Sequence, residues 1–409
     1  MGIQTQKIVA SLDIGSNKIV CLVGYINAMG KVCVKGIGHQ QANGIHDGKI
    51  INKKEAEKSI LSAISIAEKI AGFNIQDIGI NINSSIISSS VINTSINLNN
   101  KEVSNKDINN LLNDIKSILK KDNKELIHLI PLQYCIDDNI VESPYNIEGK
   151  ELKIVFQLLS TEKNDLKKVK NCIKNMMLDI NNYIANGYAN SLTVLNEKEK
   201  ELGALTIDIG YENTNIGVVY DNKYIFESSI PIGGNTITKD ISSILKITQA
   251  TAEKIKVMNT DFSLSKNDEN ELIKIKIDTD EDFEASKNKI KLINNIAKAR
   301  IDEIIELTIK KLKGANIENV PQYIVLVGGT SLIPNIDDYV SKISNLEARV
   351  GYNCDYAFII QDRSLATELK NPIYSVAMGI LKFLQSKTLQ KKSIENESGF
   401  FSILKKIFL

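Results

Sequence analysis

Two stretches of this chain repeat one pattern of apolar and polar positions. They occupy residues 7–38 and 203–232, and in each a strand-like run ends in Asp-Ile-Gly before a polar turn and further alternating runs. Short apolar runs bounded by Gly, Asn and Asp turns predict a three-stranded meander. In both copies an aspartate precedes a tyrosine by the same spacing: Asp13 with Tyr25, and Asp208 with Tyr220. The long separation of the copies indicates two related halves rather than a solenoid.

The pattern outside the two copies indicates further modules. Residues 53–71 carry apolar side chains at helical spacing, and residues 78–82 have the pattern of a strand. From 83 to 164 the chain has a β-prone run rich in Ser and Asn, a helix and two more strands, which predict a small α+β module inserted into the first half. Residues 237–312 are mainly helical by the same criterion.

Composition places the chain among soluble globular proteins. Of 409 residues, 43% are hydrophobic and 24% are charged, which excludes a disordered or fibrous chain. The formal net charge of +1 argues against a nucleic-acid-coating protein, so we expect no nucleic-acid partner. The five scattered cysteines and three histidines predict reduced thiols and no transition-metal site. No apolar window approaches the roughly 18 residues of a membrane-spanning helix.

The two Asp-Ile-Gly turns are candidates for binding a polyphosphate. A strand places each carboxylate at its end, the glycine permits a tight turn, and the N–H groups of the turn form an anion cradle. One turn from each half would grip the phosphates while Asp13 and Asp208 hold a hydrated Mg²⁺. An ordinary hairpin turn is the alternative for either tripeptide alone, and the duplication favours the phosphate site. The candidate residues are Asp13, Gly15, Ser16, Asn17, Lys18, Asp208, Gly210 and Thr214.

Two further glycine turns belong with these loops. Each follows a strand-like run and precedes a helix or turn, where a ligand can approach the backbone closely. The residues concerned are Gly233, Gly234, Gly328, Gly329 and Thr330. Between the two turns, Glu253 and Lys256 lie three positions apart on a helical pattern and would reach ribose hydroxyls or a base edge. A solvent-exposed ion pair is the alternative, and spacing alone favours it.

The order of these parts resembles the actin and Hsp70-type ATPase superfamily. A first phosphate loop at 12–23, a second phosphate loop at 204–219 and an adenosine loop at 325–332 follow one another in the same order. Within that superfamily the chain resembles the FtsA family of bacterial cell-division proteins over essentially its whole length. The stretches that carry the closer resemblance are 129–137, 195–203, 230–240 and the carboxyl-terminal tail.

The resemblance implies an α/β fold. We expect the actin-like two-lobed ATPase fold, built from duplicated ribonuclease H-like halves, with an inserted α+β subdomain and a C-terminal amphipathic helix. The expected parts are subdomain 1A at 1–82, 165–203 and 355–385, inserted subdomain 1C at 83–164, subdomain 2A at 204–235 and 313–354, subdomain 2B at 236–312, a flexible linker at 386–398 and a membrane-targeting helix at 399–409.

The resemblance also implies a function. It predicts an adaptor that binds ATP and Mg²⁺, polymerises, and tethers filaments of the tubulin-like protein FtsZ to the cytoplasmic face of the inner membrane at the division septum. Arg300 matches a family arginine and would bind the acidic C-terminal tail of FtsZ. A solvated helix face is the alternative for this residue. The inserted subdomain would meet other division proteins.

The carboxyl-terminal residues have the pattern of a membrane anchor. After a polar stretch at 386–398, residues 399–409 place six large apolar side chains within an arc of about 160° and two lysines outside it. Such a segment suits the headgroup plane of an anionic bilayer, and a helix packed on the body is the alternative. The membrane-binding candidates are Phe400, Phe401, Ile403, Leu404, Lys405, Lys406, Ile407 and Phe408.

Three other functions compete with the adaptor. A small-molecule kinase such as a sugar kinase uses the same scaffold but leaves the amphipathic tail unexplained. An Hsp70-like chaperone needs a peptide-binding domain for which 409 residues leave no room. A relative working in pilus assembly is close in architecture, but the stretches that resemble FtsA disfavour it.

The second phosphate loop departs from the family pattern. Tyr211 and Glu212 stand where glycines are usual, and Asn215 replaces an acid. A carboxylate beside the γ-phosphate would weaken ATP binding or turn away to solvent. We therefore expect slow ATP hydrolysis at most, with ATP acting as an assembly switch and the protein not primarily a metabolic enzyme.

Overall fold

The amino-terminal repeat forms the meander that its pattern predicts. The computed structural model describes residues 7–263, 272–275, 283–353 and 358–396. The first elements are β1 (Lys7–Ile14), β2 (Lys18–Ile26), β3 (Val32–Gln41), β4 (Ile45–His46), β5 (Lys49–Ile50), α1 (Lys53–Ala71) and β6 (Asp77–Ile82). β1 pairs antiparallel with β2 along its whole length, and β2 pairs antiparallel with β3. The Asp-Ile-Gly sequence therefore ends β1 at a tight turn.

Helix α1 begins and ends where its sequence predicts. The side chain of Asn52 accepts a hydrogen bond from the N–H of Glu55, and the helix ends at Gly72, whose φ of 79° is left-handed. The helix lies very close to β3, because a Cβ at Gly36 or Gly38 would overlap carbonyl oxygens of α1. The two glycines thus bring the helix onto the sheet.

The inserted segment is a separate α+β module, as its sequence pattern predicts. After a 3-10 turn at Ser84–Ile86 it comprises β7 (Ile87–Glu102), α2 (Asn105–Lys121), β8 (Lys124–Ile136), β9 (Asn139–Val141) and β10 (Glu148–Glu162). The strands form an antiparallel sheet in the order β7-β10-β8-β9. Ser104 and Asp107 form a capping box at the start of α2. The apolar face of α2 packs with Phe156 and its neighbours in a core of the module's own.

The chain then returns to the first lobe and crosses to the second. The connecting elements are α3 (Lys163–Lys174), β11 (Asp179–Ala185), α4 (Asn186–Val194) and α5 (Glu197–Leu202). The second lobe contains β12 (Ala204–Ile209), β13 (Thr214–Tyr220), β14 (Lys223–Ile230), α6 (Gly234–Leu245), α7 (Gln249–Asn259), β15 (Leu272–Ile275), β16 (Phe283–Ser286), α8 (Lys287–Gly314), β17 (Tyr323–Val327), a 3-10 turn at Gly329–Leu332, α9 (Ile336–Ser344) and β18 (Glu347–Val350).

The two large sheets have one topology, which confirms the predicted duplication. The first sheet has the order β11-β6-β1-β2-β3, followed by a short strand at its β3 edge, and the second has the order β18-β17-β12-β13-β14. In both sheets the first three strands of the meander are antiparallel, while the remaining internal pairs are parallel. The aspartates of the two Asp-Ile-Gly turns therefore occupy equivalent positions at the strand ends.

The last described elements complete the first lobe. They are β19 (Phe358–Ile359), α10 (Arg363–Leu369), a 3-10 turn at Pro372–Tyr374 and α11 (Ser375–Asn396). β19 pairs with β3, so the chain leaves the second sheet after Val350 and rejoins the first at Phe358. Helix α11 packs against α4, where a Cβ at Gly379 would lie 2.0 Å from the carbonyl oxygen of Ala189.

The stretch 386–398, predicted as a flexible linker, is helical over most of its length. Helix α11 continues to Asn396, and within this stretch Thr388 is buried and accepts a hydrogen bond from the ammonium of Lys7 at 3.1 Å. The polar composition misled the prediction because a helix can bury single small polar residues that bond to its own carbonyls, as Thr388 does with Leu384. The predicted amphipathic helix at 399–409 lies outside the described residues.

The contact between α11 and α4 yields a prediction about stability. Gly379→Ala should lower the free energy of unfolding by about 1–3 kcal/mol, because the added Cβ overlaps backbone that cannot move without shifting α4. Gly314→Ala is the matched control, since nothing lies within 4 Å of its Cβ position, and it should be neutral or stabilising by about 0.5–1 kcal/mol. Urea unfolding followed by circular dichroism measures both, and equal values would contradict this account of the packing.

Candidate functional site

A cleft between the two lobes gathers most of the predicted site residues. It has a volume of about 610 Å³ and is lined by the turns after β1, β12 and β17, by the start of α6 and by α7. The predicted residues that line it are Asp13, Gly15, Ser16, Asn17, Lys18, Asp208, Gly210, Gly234, Glu253, Lys256, Gly328, Gly329 and Thr330. Residues more than 300 positions apart, such as Asp13 and Gly328, thus contribute to one site.

The two Asp-Ile-Gly turns have matching geometry. The N–H of Gly15 donates to the carbonyl of Lys18 at 3.0 Å, and the N–H of Gly210 donates to the carbonyl of Asn213 at 3.0 Å. A Cβ at either glycine would lie 2.9 Å from the same carbonyl oxygen. Each turn is therefore too tight for a larger residue, and the two present their backbones to the cleft from opposite lobes.

Two predicted residues support the site without lining it. The hydroxyl of Thr214 is buried and donates to the carbonyl of Ile232 at 2.7 Å, and Thr214 is not among the residues that line the cleft. Gly233 precedes α6, where a Cβ would lie 2.6 Å from the carbonyl oxygen of Tyr211. Both residues hold the second turn against α6.

Two buried carboxylates face the cleft. Asp13 is 6% exposed and accepts hydrogen bonds from the amide of Asn81 at 3.0 Å and from the ammonium of Lys18 at 3.3 Å. Asp208 is 8% exposed and accepts from the amides of Asn190 at 3.2 Å and Asn215 at 3.3 Å. Each of these hydrogen bonds comes from an amide or an ammonium, so donors have replaced water around both carboxylates.

The two carboxylates have like charges, which repel each other. Burial raises the pKa of the Asp208 carboxyl, and the like charge of Asp13 also acts to raise it. The amides of Asn215 and Asn190 and the ammonium of Lys18 act in the other direction. A divalent cation between the lobes would relieve this repulsion, and two carboxylates are the donor set that suits a hydrated Mg²⁺.

A row of amides across the cleft floor escaped the sequence analysis. The amide of Asn81 donates to the side-chain oxygen of Asn186 at 3.0 Å as well as to Asp13. Asn186 and Asn190 lie one turn apart on α4, and Asn190 reaches Asp208. The signal available in the sequence was two asparagines four positions apart on a short segment that otherwise carries mainly small and apolar residues.

Three buried polar atoms lining the cleft have no hydrogen-bond partner among the described residues. They are Asn213 Nδ2, Asn215 Oδ1 and Thr260 Oγ1. A buried polar atom without a partner costs about 1–3 kcal/mol. The cost disappears if a ligand or water supplies the missing partners, so these atoms indicate a site built for a polar ligand.

Glu253 and Lys256 do not form the solvent-exposed ion pair that spacing alone favoured. The Lys256 side chain is 9% exposed, and its ammonium donates to Glu253 at 2.7 Å, to the carbonyl of Gly234 at 3.0 Å and to Thr238 at 2.9 Å. Burial lowers the pKa of Lys256. The lysine ties α7 to α6 beneath the cleft, while the carboxylate of Glu253 remains half-exposed at its rim.

Two family models match the chain on either side of the connecting segment. The model described as "Cell division protein FtsA" matches residues 205–379, and the model described as "SHS2 domain inserted in FTSA" matches residues 84–160. The second match is the inserted module, in the position that the sequence analysis gave it. The chain belongs to the FtsA family.

Curated FtsA proteins match over almost the whole chain. The FtsA of Pseudomonas aeruginosa is 28% identical over 394 residues, covering 96% of this chain and 91% of the relative. The FtsA of Agrobacterium fabrum is 27% identical over 408 residues, covering 97% and 90%, and that of Borreliella burgdorferi is 25% identical, covering 97% and 98%. The predicted role in cell division is confirmed, and the sugar-kinase and pilus-assembly alternatives are not favoured.

Solved structures confirm the actin-like fold. A PilM–PilN type IV pilus biogenesis complex matches with a TM-score of 0.65 at 12% identity, covering 92% of this chain and 98% of the other. MreB5 of Spiroplasma citri bound to ADP matches with a TM-score of 0.54 at 16% identity, covering 96% and 99%. At these identities the likeness shows the fold.

The residues that depart from the FtsA pattern form contacts that the sequence did not indicate. Glu212 crosses the mouth of the cleft, where its carboxylate accepts from the N–H of Asp47 at 2.6 Å and lies 3.3 Å from Nε2 of His46. The carboxylate thus neither faces solvent nor stays within its own loop. The side-chain amide of Asn215 donates a hydrogen bond to Asp208, whereas an acid at position 215 would repel that carboxylate.

Arg300 is already paired in this FtsA-family chain. Its guanidinium donates to Asp240 at 2.5 and 3.1 Å and to Glu303 at 2.6 Å, which raises its pKa. Two acids therefore share the side chain that the sequence assigned to an acidic partner.

Among the described residues, no helix combines the length and apolar character needed to cross a bilayer.

The bridge made by Glu212 yields a prediction about the cleft mouth. Glu212→Ala should speed amide hydrogen exchange in the β4–β5 hairpin, because the N–H of Asp47 loses its acceptor and the hairpin its tie to the second lobe. Hydrogen–deuterium exchange with mass spectrometry measures this. Glu102→Ala, which removes an exposed carboxylate of the inserted module, is the control and should leave the hairpin unchanged. Equal exchange of the hairpin in all three proteins would show that the Glu212 contact does not stabilise it.

Proposed function

We propose that the interlobe cleft binds ATP together with Mg²⁺. The observation that carries this proposal is the pair of matching Asp-Ile-Gly turns, each closed by the same hydrogen bond and each too tight for a side chain at its glycine. Successive backbone N–H groups in such turns bind phosphate oxygens. Two turns that face one cleft suit a ligand with more than one phosphate.

The two carboxylates would hold the cation. Asp13 and Asp208 would bind Mg²⁺ through water, and the bound ion would offset the negative charge of the phosphates. The nucleoside would lie towards α7 and the turn after β17, where Val257, Thr260 and Leu332 line the cleft. The unpartnered hydroxyl of Thr260 would supply a hydrogen bond there.

We expect slow hydrolysis at most, so that the nucleotide acts as an assembly switch. A general base must be free to take a proton from water. The carboxylates that line the described cleft are all engaged: Asp13 and Asp208 by amides, Glu212 by the N–H of Asp47, and Glu253 by Lys256. Several asparagine and glutamine amides also line the cleft, and amides bind without accepting protons. The histidine in the lining, His39, is engaged through Nδ1, which lies 3.2 Å from the hydroxyl of Tyr374.

The nucleotide proposal is tested by removing one carboxylate at constant shape. Asp13→Asn should weaken the binding of a fluorescent ATP analogue in the presence of Mg²⁺ by about ten- to a hundredfold, because the cation loses one of its two anionic partners. Fluorescence titration with and without Mg²⁺ separates the loss of the cation from the loss of the site. Asp114→Asn, on the exposed face of α2, is the control. Binding that neither Mg²⁺ nor Asp13→Asn alters would overturn the assigned role of the carboxylates.

We further propose that the protein works as a polymerising adaptor in the FtsA manner. In this proposal residues 399–409 attach it to the cytoplasmic face of the inner membrane at the septum, and it tethers FtsZ filaments there. The support is the FtsA family membership together with the apolar and basic arrangement of the tail. The inserted module would meet other division proteins, and self-association would multiply a weak single attachment.

In this proposal the FtsZ tail contacts an arginine, Arg300, that already has two acidic partners. An acidic tail would have to displace Asp240 or Glu303, or share the guanidinium with them, because both acids already bind it. An arginine carries five N–H donors, and the contacts with the two acids use three of them. Donors therefore remain for a carboxylate that approaches from solvent.

Membrane attachment is tested by truncation. The full chain should float with vesicles that contain anionic lipid, and a chain ending at Ser398 should not, because the apolar arc and both lysines are lost together. A full chain with Lys405→Glu and Lys406→Glu should float less well than the native protein, since it keeps the apolar residues and loses the attraction to the lipid. Equal flotation of the full and truncated chains would remove the tail from the proposal.

A further inference from the structure

A buried carboxylate outside the cleft lining joins the second lobe, the start of the inserted module and helix α4. Glu227, on β14 of the second lobe, is 2% exposed. It accepts hydrogen bonds from the hydroxyl of Ser84, from the N–H of Gly187 at 3.0 Å and from the hydroxyl of Tyr224 at 2.5 Å. Ser84 leads into the inserted module, Gly187 lies in the first turn of α4, and Tyr224 belongs to β14 itself.

The backbone of the same residue also holds the inserted module. The N–H of Glu227 donates to the hydroxyl of Ser89 on β7 at 3.2 Å, and that hydroxyl also accepts from the amide of Gln157 on β10 at 2.7 Å. One residue of the second lobe therefore contacts the module through its side chain and its main chain.

The surroundings of Glu227 are shaped for an anion. Its hydrogen-bonding neighbours are donors, and room for the carboxylate depends on glycine at position 187, where a Cβ would lie 2.5 Å from Tyr224 Oη and 3.1 Å from Glu227 Oε2. Helix α4 has no side-chain cap of its own, since its N-cap residue is Ala185. Glu227 supplies the missing negative group at the positive end of the helix.

Helix α4 carries the effect of that cap into the cleft. Asn186, next to Gly187, accepts from the amide that holds Asp13, and Asn190, one turn later, donates to Asp208. Every residue of α4 except Leu192 is buried, so the helix cannot turn freely about its axis. A shift at its first turn would move both asparagines.

We propose that Glu227 is a positioning residue for the nucleotide site: its ionised carboxylate fixes the first turn of α4 and thereby the two asparagines that hold the cleft carboxylates. This inference rests on the proposed binding of nucleotide. Glu227 touches no ligand itself and acts through the helix.

The charge of Glu227 changes near neutral pH. Burial raises the pKa of the Glu227 carboxyl to about 7, although the hydrogen bonds from Ser84 and Tyr224 act to lower it. The titratable groups around it stay uncharged there. Burial raises the pKa of Tyr188 to about 12 and raises that of Tyr224 well above its usual value, while burial lowers the pKa of His128, behind Tyr188, to about 3.

The sign of the pH dependence follows from which form binds α4. Above the folded pKa the carboxylate is ionised and all its neighbours donate to it. As the pH falls through that value, the added proton puts a donor among donors, and the hold on α4 weakens. If only the ionised form positions the asparagines, nucleotide affinity should fall about tenfold between about pH 8 and pH 6.

Three full-length proteins test the proposal, with the Kd of a fluorescent ATP analogue measured across this pH range. The native protein should show the loss of affinity at low pH. Glu227→Gln should bind the analogue weakly at every pH. Its Kd should change with pH only as far as the nucleotide itself titrates, without the additional loss of affinity that the native protein shows at low pH. Tyr224→Phe should keep this additional loss and move its midpoint to higher pH, because it removes a hydrogen bond that favours the ionised form.

A second measurement separates this proposal from nucleotide binding. Hydrogen exchange of α4, compared between the three proteins at matched pH, should show lost protection in Glu227→Gln at every pH and in the native protein only at low pH. If no protein binds nucleotide, the proposed function fails, while exchange in α4 still decides the role of Glu227. Equal pH profiles and equal exchange in the native and variant proteins would overturn it, and Tyr224→Phe serves this purpose if Glu227→Gln does not fold.

Discussion

Two buried carboxylates face one cleft from opposite lobes, and the elements around the cleft supply their hydrogen-bond donors. A buried carboxylate is costly unless such donors replace the water that it loses. Here Asp13 receives an amide and an ammonium, and Asp208 receives two amides. The amides come from β6, α4 and β13, so the elements around the cleft contribute one donor each. The meander, the parallel strand and the connecting helix are thereby fixed relative to one another.

The repeated part of this arrangement could be predicted from the sequence, because local pattern determines it. An apolar run ending in Asp-Ile-Gly predicts a strand, a turn and an end-on carboxylate whatever the rest of the chain does. The two sheets, the tight glycines and the inserted module follow from such local patterns, and the structure has them where the patterns place them. Gly328 belongs here too, since its φ of 84° and its closeness to Asp208 suit only glycine.

The contacts that complete the site could not be predicted, because they join residues far apart in sequence through side chains common on surfaces. Asn81 and Asn186 are separated by 105 positions, and Glu212 and Asp47 by 165. Nothing near Glu212 in sequence indicates that its carboxylate crosses the cleft. The burial of Lys256 could not be predicted either. Its spacing from Glu253 suited a solvent-exposed ion pair, and it is buried because α6 packs against it.

Two glutamates cross between the lobes, and their burial decides which contact opens first. Glu212 bonds to a backbone N–H at the exposed mouth, where water can replace it at little cost. Glu227 is enclosed by donors that water does not reach, so separating it leaves buried groups unpaired. Breaking the Glu212 contact therefore costs less than breaking the contacts of Glu227. The tie at the cleft mouth is the weaker of the two, and the stronger one holds the start of α4, next to the asparagines of the cleft floor.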